Sequence, residues 1–184
     1  MDAAAEGRPS NSWRLLFAGL EAGMVGALWM LAWMGLSYAW QRRSFWTPEN
    51  LMATAFASDA PLRTGFGAGT ISGLALYLLI YSLLGALFAF VVRGRMPRGR
   101  VLLWSVAFGL AWYYLSFHGI WKSVIPVLAR LHVERATVLG HLVYGTVLAR
   151  YPVYLARWEQ PAVSAEGEES DRVRGPAVQG DRPT

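Results

Sequence analysis

The chain has 184 residues, of which 54% are hydrophobic and 16% charged, and its formal net charge is +5. Soluble domains are less apolar and more charged, with about 45–50% apolar and about 25% charged residues. The absence of cysteine excludes disulfides, thiolate metal sites and palmitoylation. The sequence also lacks a Walker loop, a nucleophile elbow, a His-Glu-x-x-His motif and a dinucleotide fingerprint, so it predicts no enzyme and no cofactor.

Both ends of the chain are polar and predict disorder. Residues 1–12 lack the basic start and small-residue cleavage site of a secretory signal, so we expect the apolar segment that follows to be retained. Residues 159–184 contain no aromatic residue and show no helical or strand period. Neither end can bury enough apolar surface to offset the entropy that ordering costs.

Four apolar stretches lie between these ends, at about residues 13–40, 69–92, 101–120 and 137–155. The second has no charged residue and would be about 36 Å long as a helix, which exceeds the roughly 30 Å of a hydrocarbon core. We predict an all-α fold in which residues 13–158 form a polytopic membrane domain, with four transmembrane helices arranged as two helical hairpins. In the alternative, the chain spans three times and the fourth stretch lies on the membrane surface.

Basic residues predict the orientation, because loops rich in arginine and lysine stay in the cytoplasm. The connection 93–100 holds four arginines, and it shares its side with both termini, which raise the number of basic residues there to eleven. The opposite side has six, spread over two longer loops. We therefore expect both termini to be cytoplasmic. Orientation and anionic lipid then explain the positive charge, and nucleic acid is not an expected partner.

Each outer loop is expected to contain a short helix that lies in the interface or re-enters the membrane. Thr47 is a typical N-cap residue and Pro48 a typical first helical residue, so they predict a helix that Thr47 caps and that begins at Pro48, within residues 46–56. Residues 121–135 have apolar positions at helical intervals, with a bend expected at Pro126.

Small residues predict where the helices pack, because helices in lipid associate by close contact and hydrogen bonding. The glycines expected in these contacts are Gly19, Gly23, Gly69, Gly73, Gly85 and Gly145. Tyr77 and Tyr81 lie on the same stripe of the second span as three of these glycines. The alternative interpretation is a pore or substrate surface lined by these two tyrosines and Tyr144.

A short internal match links the second and fourth spans. Residues 81–89 align without gaps on residues 141–149, which would make the chain two helical hairpins in the same orientation. Chance explains the match at least as well, because membrane sequences are low in complexity. No counterpart connects the first and third spans.

Glu21 lies inside the first span, where an ionisable side chain costs on the order of 3 kcal/mol unless it is partnered or protonated. Counted along straight helices, Glu21 and Arg150 both lie about 10 Å from the inner boundary. We predict an ion pair between them that joins the first and last helices. A proton-relay or substrate-binding role for Glu21, and snorkelling to headgroups, are the alternatives.

His118 and His141 lie at matched depth on consecutive antiparallel spans. Two facing imidazoles can hold a haem iron or another metal, or can shuttle a proton. A hydrogen-bonded structural role is the commoner one for such histidines, so no metal site is predicted.

Three short motifs stand in the order of the chain: Ala18-Gly-x-x-Ala-Gly23, Trp46-Thr-Pro-x-Asn-Leu51 and His141-Leu-Val-Tyr-Gly145. Together they resemble small four-helix bacterial integral membrane proteins that are classed only as domains of unknown function. The resemblance covers about residues 13–157. It implies a location in the bacterial cytoplasmic membrane and no particular activity.

We expect a structural or interaction subunit whose partners are the lipid bilayer and either copies of itself or another membrane protein. The second hypothesis is a small oligomeric transporter or channel that uses Glu21 in the membrane. The third is a haem- or metal-binding membrane protein that uses His118 and His141.

Overall fold

The computed structural model describes residues 12–63, 65–92 and 96–159. All regular elements in these ranges are helical, as predicted. The α-helices are α1 (Ser12–Trp40), α2 (Thr47–Ala57), α3 (Ala68–Val91), α4 (Arg98–Leu115), α5 (Trp121–Val124), α6 (Pro126–Leu131), α7 (Glu134–Leu148) and α8 (Tyr151–Glu159). A 3-10 turn at Ala60–Arg63 precedes α3, and a π-helical turn at Ser116–Ile120 connects α4 to α5. The predicted disordered ends fall almost wholly outside the described residues.

Proline residues set where several helices begin. Pro48 and Pro126 lie in the first turns of α2 and α6, and Pro97 immediately precedes α4. Proline suits these places because the first N–H groups of a helix have no intrahelical acceptor. The predicted bend at Pro126 is confirmed, since the helix breaks at Ile125, where φ is −134°.

The first outer helix lies where it was predicted, but the predicted N-cap is wrong. The helix begins at Thr47 itself, and no side chain caps it. Thr47 Oγ1 instead donates to the Ser44 carbonyl oxygen at 2.6 Å, so this hydroxyl stabilises the preceding turn.

The long helices form two antiparallel hairpins. Gly19 near the start of α1 faces Ala89 near the end of α3, which places these two helices side by side in opposite directions. In the same way, Gly109 of α4 faces Gly145 of α7. Contacts between α1 and α7 join the two hairpins into one bundle.

The last helix returns to the start of the first. Trp158 of α8 packs edge-to-face on Trp13 of α1, with ring centroids 6.2 Å apart. The chain therefore passes along the bundle four times. We call the end that holds Trp13 and Trp158 the terminal end, and the end that holds Trp40 and Val133 the loop end.

Three described helical stretches are long and apolar enough to cross a membrane: Ser12–Trp40, Ala68–Val91 and Arg98–Val124. The fourth stretch, predicted as one helix over residues 137–155, is divided into α7 and α8. The longer piece, α7, has 15 residues and is about 22 Å long. Pro152 accounts for the break, because a proline ring clashes with the carbonyl group four residues earlier. That residue is Leu148, where α7 ends.

The exposed side of α3 is more apolar than its buried side. Large aliphatic residues, each 52–64% exposed, form the outer stripe: Ile71, Leu79, Leu83, Leu87 and Val91. Small and hydroxyl-bearing residues form the inner stripe: Gly73, Tyr77, Tyr81, Gly85 and Ala89. Helices surrounded by lipid show this arrangement, whereas a surface in water rarely exposes so large an apolar patch.

Glycine lets the helix backbones touch. A Cβ atom on Gly85 would lie 2.6 Å from the Cα of Gly23, and one on Gly145 would lie 2.7 Å from the Ser105 carbonyl oxygen. Real Cβ atoms do not approach other atoms so closely. The six glycines singled out in the sequence all lie against another helix or turn, with Gly73 against the Glu49 carbonyl and Gly69 against Pro61.

We predict that Gly85→Ala lowers the free energy of unfolding by about 1–3 kcal/mol, because the added methyl group must push α1 away from α3. Unfolding of the purified protein in mixed detergent micelles measures the change. Gly99→Ala is the matched control, since Gly99 also lies in a helix but its would-be Cβ meets no packing neighbour within 4 Å among the described residues. Equal effects of the two substitutions would contradict the prediction.

Candidate functional site

A hydrogen-bonded chain links the two hairpins inside the bundle. The Tyr81 hydroxyl of α3 lies 2.9 Å from His141 Nε2 of α7, and His141 Nδ1 lies 2.7 Å from the Thr137 carbonyl oxygen. A carbonyl oxygen can only accept a hydrogen bond, so Nδ1 carries a proton. In the neutral imidazole, Nε2 then accepts from the Tyr81 hydroxyl.

Buried aromatic rings enclose this chain. The Tyr144 hydroxyl donates to the Tyr81 carbonyl oxygen at 2.9 Å, and Tyr77 stacks on Tyr81 with ring centroids 5.7 Å apart. Tyr113 meets the His141 ring at 5.4 Å. We call Tyr77, Tyr81, Tyr113, His141 and Tyr144 the polar core. Tyr77, Tyr81 and Tyr144, the suggested lining of a polar route, are at most 2% exposed and pack against one another.

Some contacting residues occupy aligned positions of the internal match between residues 81–89 and residues 141–149. Tyr81 and His141 are aligned positions, and they contact each other directly. Gly85 and Gly145 are also aligned, and each packs against the other long helix of its own hairpin. Gly85 and Gly145 therefore make the same kind of contact in the two hairpins.

A second set of polar contacts docks α2 on the start of α3. Asn50 Nδ2 donates to the Gly65 carbonyl oxygen at 3.0 Å, and Thr70 Oγ1 donates to Asn50 Oδ1 at 2.7 Å. The Gly67 N–H donates to Thr70 Oγ1 at 3.0 Å. These bonds hold α2 against α3 and thereby bury the residue before Asn50, which is Glu49.

Glu49 is the buried acid that the sequence did not reveal. It is 3% exposed, and its Oε2 has no hydrogen-bond partner among the described residues. Burial raises the pKa of the Glu49 carboxyl group to about 7. By its position in the first turn of α2, Glu49 indicates only a favourable charge near the positive start of a helix. Its burial results from the docking of α2, which the local pattern does not encode.

The predicted ion pair between Glu21 and Arg150 is wrong. Glu21 Oε1 accepts from Arg157 Nη1 at 2.7 Å, and Oε2 accepts from Trp158 Nε1 at 3.2 Å. Arg150 is exposed at the break between α7 and α8. The depth count assumed one straight helix through residue 150, which Pro152 prevents.

The observed Glu21 pair lies at the terminal end and is partly exposed, with 62% of the Arg157 side chain and 25% of the Glu21 side chain accessible. Pairs of this kind contribute at most about 1 kcal/mol to stability. The pair of Glu21 and Arg157 joins the first and last helices. The sequence predicted this joining role for Glu21, but with Arg150 as its partner.

His118 and His141 do not converge on one site. The ring of Tyr113 contacts both imidazoles, with centroids 6.0 Å from His118 and 5.4 Å from His141. His118 is exposed on the π-helical turn, whereas both ring nitrogens of His141 are hydrogen-bonded inside the bundle. The described residues contain no group of three or more His, Cys, Asp or Glu that could hold a metal ion.

Comparison of the chain with protein-family models, curated proteins and solved structures yields no match. The resemblance carried by residues 18–23, 46–51 and 141–145 therefore stays a prediction. What the chain does must be inferred from its own residues and their geometry.

We predict that unfolding becomes easier as the pH rises from about 4.5 to about 7. In this range the folded protein keeps a proton on Glu49 that the unfolded chain releases, so the stability lost reaches about 3 kcal/mol and levels off above pH 7. Glu49→Gln cannot titrate and should flatten this part of the profile. Unfolding midpoints measured against pH test the prediction.

The matched control for this experiment is Glu134→Gln, because Glu134 is an exposed glutamate at the start of α7. This variant should keep the pH profile of the parent protein. Identical profiles for the parent and Glu49→Gln would show that Glu49 is not held neutral by burial.

Proposed function

We propose that this chain is an integral protein of the bacterial cytoplasmic membrane that crosses the bilayer four times and acts as a structural or interaction subunit. In this proposal α7 and α8 together make the fourth crossing, and both termini are cytoplasmic. The apolar outer stripe of α3 and the three long apolar helices support the membrane location. The excess of arginines in the connection 93–100 and at the ends of the chain supports the orientation.

The contact between Tyr81 and His141 is the observation that most favours a structural role. It joins the two hairpins through polar groups that satisfy one another inside the bundle. The bonded members of this network, Tyr81, His141 and Tyr144, favour one arrangement of the helices. Because glycine contacts also bring the backbones together within each hairpin, the bundle has the properties of a rigid support.

The two alternative functions receive less support. A transporter that uses Glu21 needs a carboxylate that is free to bind a proton or a substrate, whereas both oxygens of Glu21 accept hydrogen bonds, from Arg157 and Trp158. A haem or metal protein needs free imidazole nitrogens, whereas both nitrogens of His141 already have partners.

The experiment that tests the proposal combines two measurements on the same protein. Native nanodiscs, which are membrane patches extracted by an amphipathic polymer, should contain the chain in a complex of fixed mass. This mass should exceed the mass of a single chain. Proteoliposomes should show the same proton flux for the parent, for Glu21→Gln and for lipid without protein.

Glu134→Gln again serves as the control, because it removes one exposed carboxylate outside the bundle interior. A proton or solute flux that the parent supports, and that Glu21→Gln abolishes while Glu134→Gln does not, would favour the transporter. A single copy in native membrane patches would contradict the subunit role.

A further inference from the structure

A long groove runs along the surface between α1 and α7. The part at the loop end has a volume of about 530 Å³, and the part nearer the terminal end has a volume of about 290 Å³. Trp33 and Leu139 line both parts, so the two parts adjoin, and together we call them the α1–α7 groove. From Arg135 to Val147 the groove follows α7 for about 18 Å.

The two ends of the α1–α7 groove differ in chemistry. Arg135, Gln41 and Ser37 line it at the loop end. Towards the terminal end, the lining is mostly apolar, with Val143 and Val147 among its residues and Thr146 as its one hydroxyl side chain. A charged end followed by a long apolar track matches a molecule with a polar head and a hydrocarbon chain.

A hydrogen bond ties the two sides of the groove together. Trp33 Nε1 of α1 donates to the Ala136 carbonyl oxygen of α7 at 3.2 Å. Ser37 Oγ and Gln41 Nε2 donate to carbonyl oxygens one turn earlier in α1. A preformed site of this kind loses little entropy when a flexible ligand enters it.

Arg135 is the exposed cation at the head of the groove. Its side chain is exposed, and it forms no ion pair with the other described residues. Arg42 and Arg43 follow α1 at the same end and add positive charge. Guanidinium groups bind phosphate through paired, charge-assisted hydrogen bonds.

We propose that the α1–α7 groove binds one anionic phospholipid, with the phosphate at Arg135 and an acyl chain along Leu139 towards Val147. The inference rests on the proposed membrane location, which supplies the lipid. A second copy of the chain fits less well, because a two-fold contact across this face would bring the positive loop ends of both copies together.

Native mass spectrometry of the detergent-purified full-length protein tests the lipid site. The parent should retain one phospholipid, and titration with phosphatidylglycerol should saturate at one molecule per chain. Phosphatidylcholine should bind more weakly, and inorganic phosphate alone should not bind. Arg135→Gln should weaken phosphatidylglycerol binding about tenfold, because it removes the charge-assisted bonds.

Two further variants separate the groove from the rest of the surface. Leu139→Gln should weaken binding, whereas Leu102→Gln should not, although the two leucines are 45% and 43% exposed. Arg130→Gln controls for Arg135→Gln, because Arg130 is an exposed arginine on α6 outside the groove lining. Equal effects within either pair, or equal binding of both lipids, would overturn the proposal in favour of ordinary annular lipid.

The same spectra distinguish the remaining outcomes. A dimer without lipid that Leu139→Gln dissociates would overturn the proposal in favour of a second copy. A protein that needs detergent but retains no lipid would overturn the lipid site alone. A protein that stays monodisperse without detergent would overturn the membrane location as well.

Discussion

Gly23 and Gly85 let α1 and α3 approach until their backbones touch, and the rest of the bundle depends on contacts of this kind. When lipid surrounds a protein, burying leucine gains little, because the lipid is as apolar as the side chain. Close packing and hydrogen bonds must then hold the helices together. The glycines therefore lie between the helices, and the large aliphatic residues of α3 face outward.

The same constraint explains the polar interior. A tyrosine hydroxyl or an imidazole that faced lipid would have no partner, so these groups gain most by bonding to each other inside the bundle. Tyr81 and His141 do this across the boundary between the two hairpins. Glycine contacts hold each hairpin together, and this polar contact joins one hairpin to the other.

Local chemistry made much of this architecture predictable from the sequence. The first two long helices begin and end within one residue of the predicted limits, because apolar composition and helix length fixed them. Pro152 also indicates where the fourth stretch is divided into two helices, but a prediction from hydropathy alone does not take this proline into account. The partner of Glu21 and the burial of Glu49 depend on how separate helices dock, and no local spacing encodes this.

Fractionation of bacterial cells that express the full chain tests most directly whether a lipid bilayer is the solvent of this protein. After membranes are washed with alkaline carbonate, the chain should stay with the lipid and be released only by detergent. Recovery of the folded chain in the detergent-free wash would show that the bilayer is not its solvent.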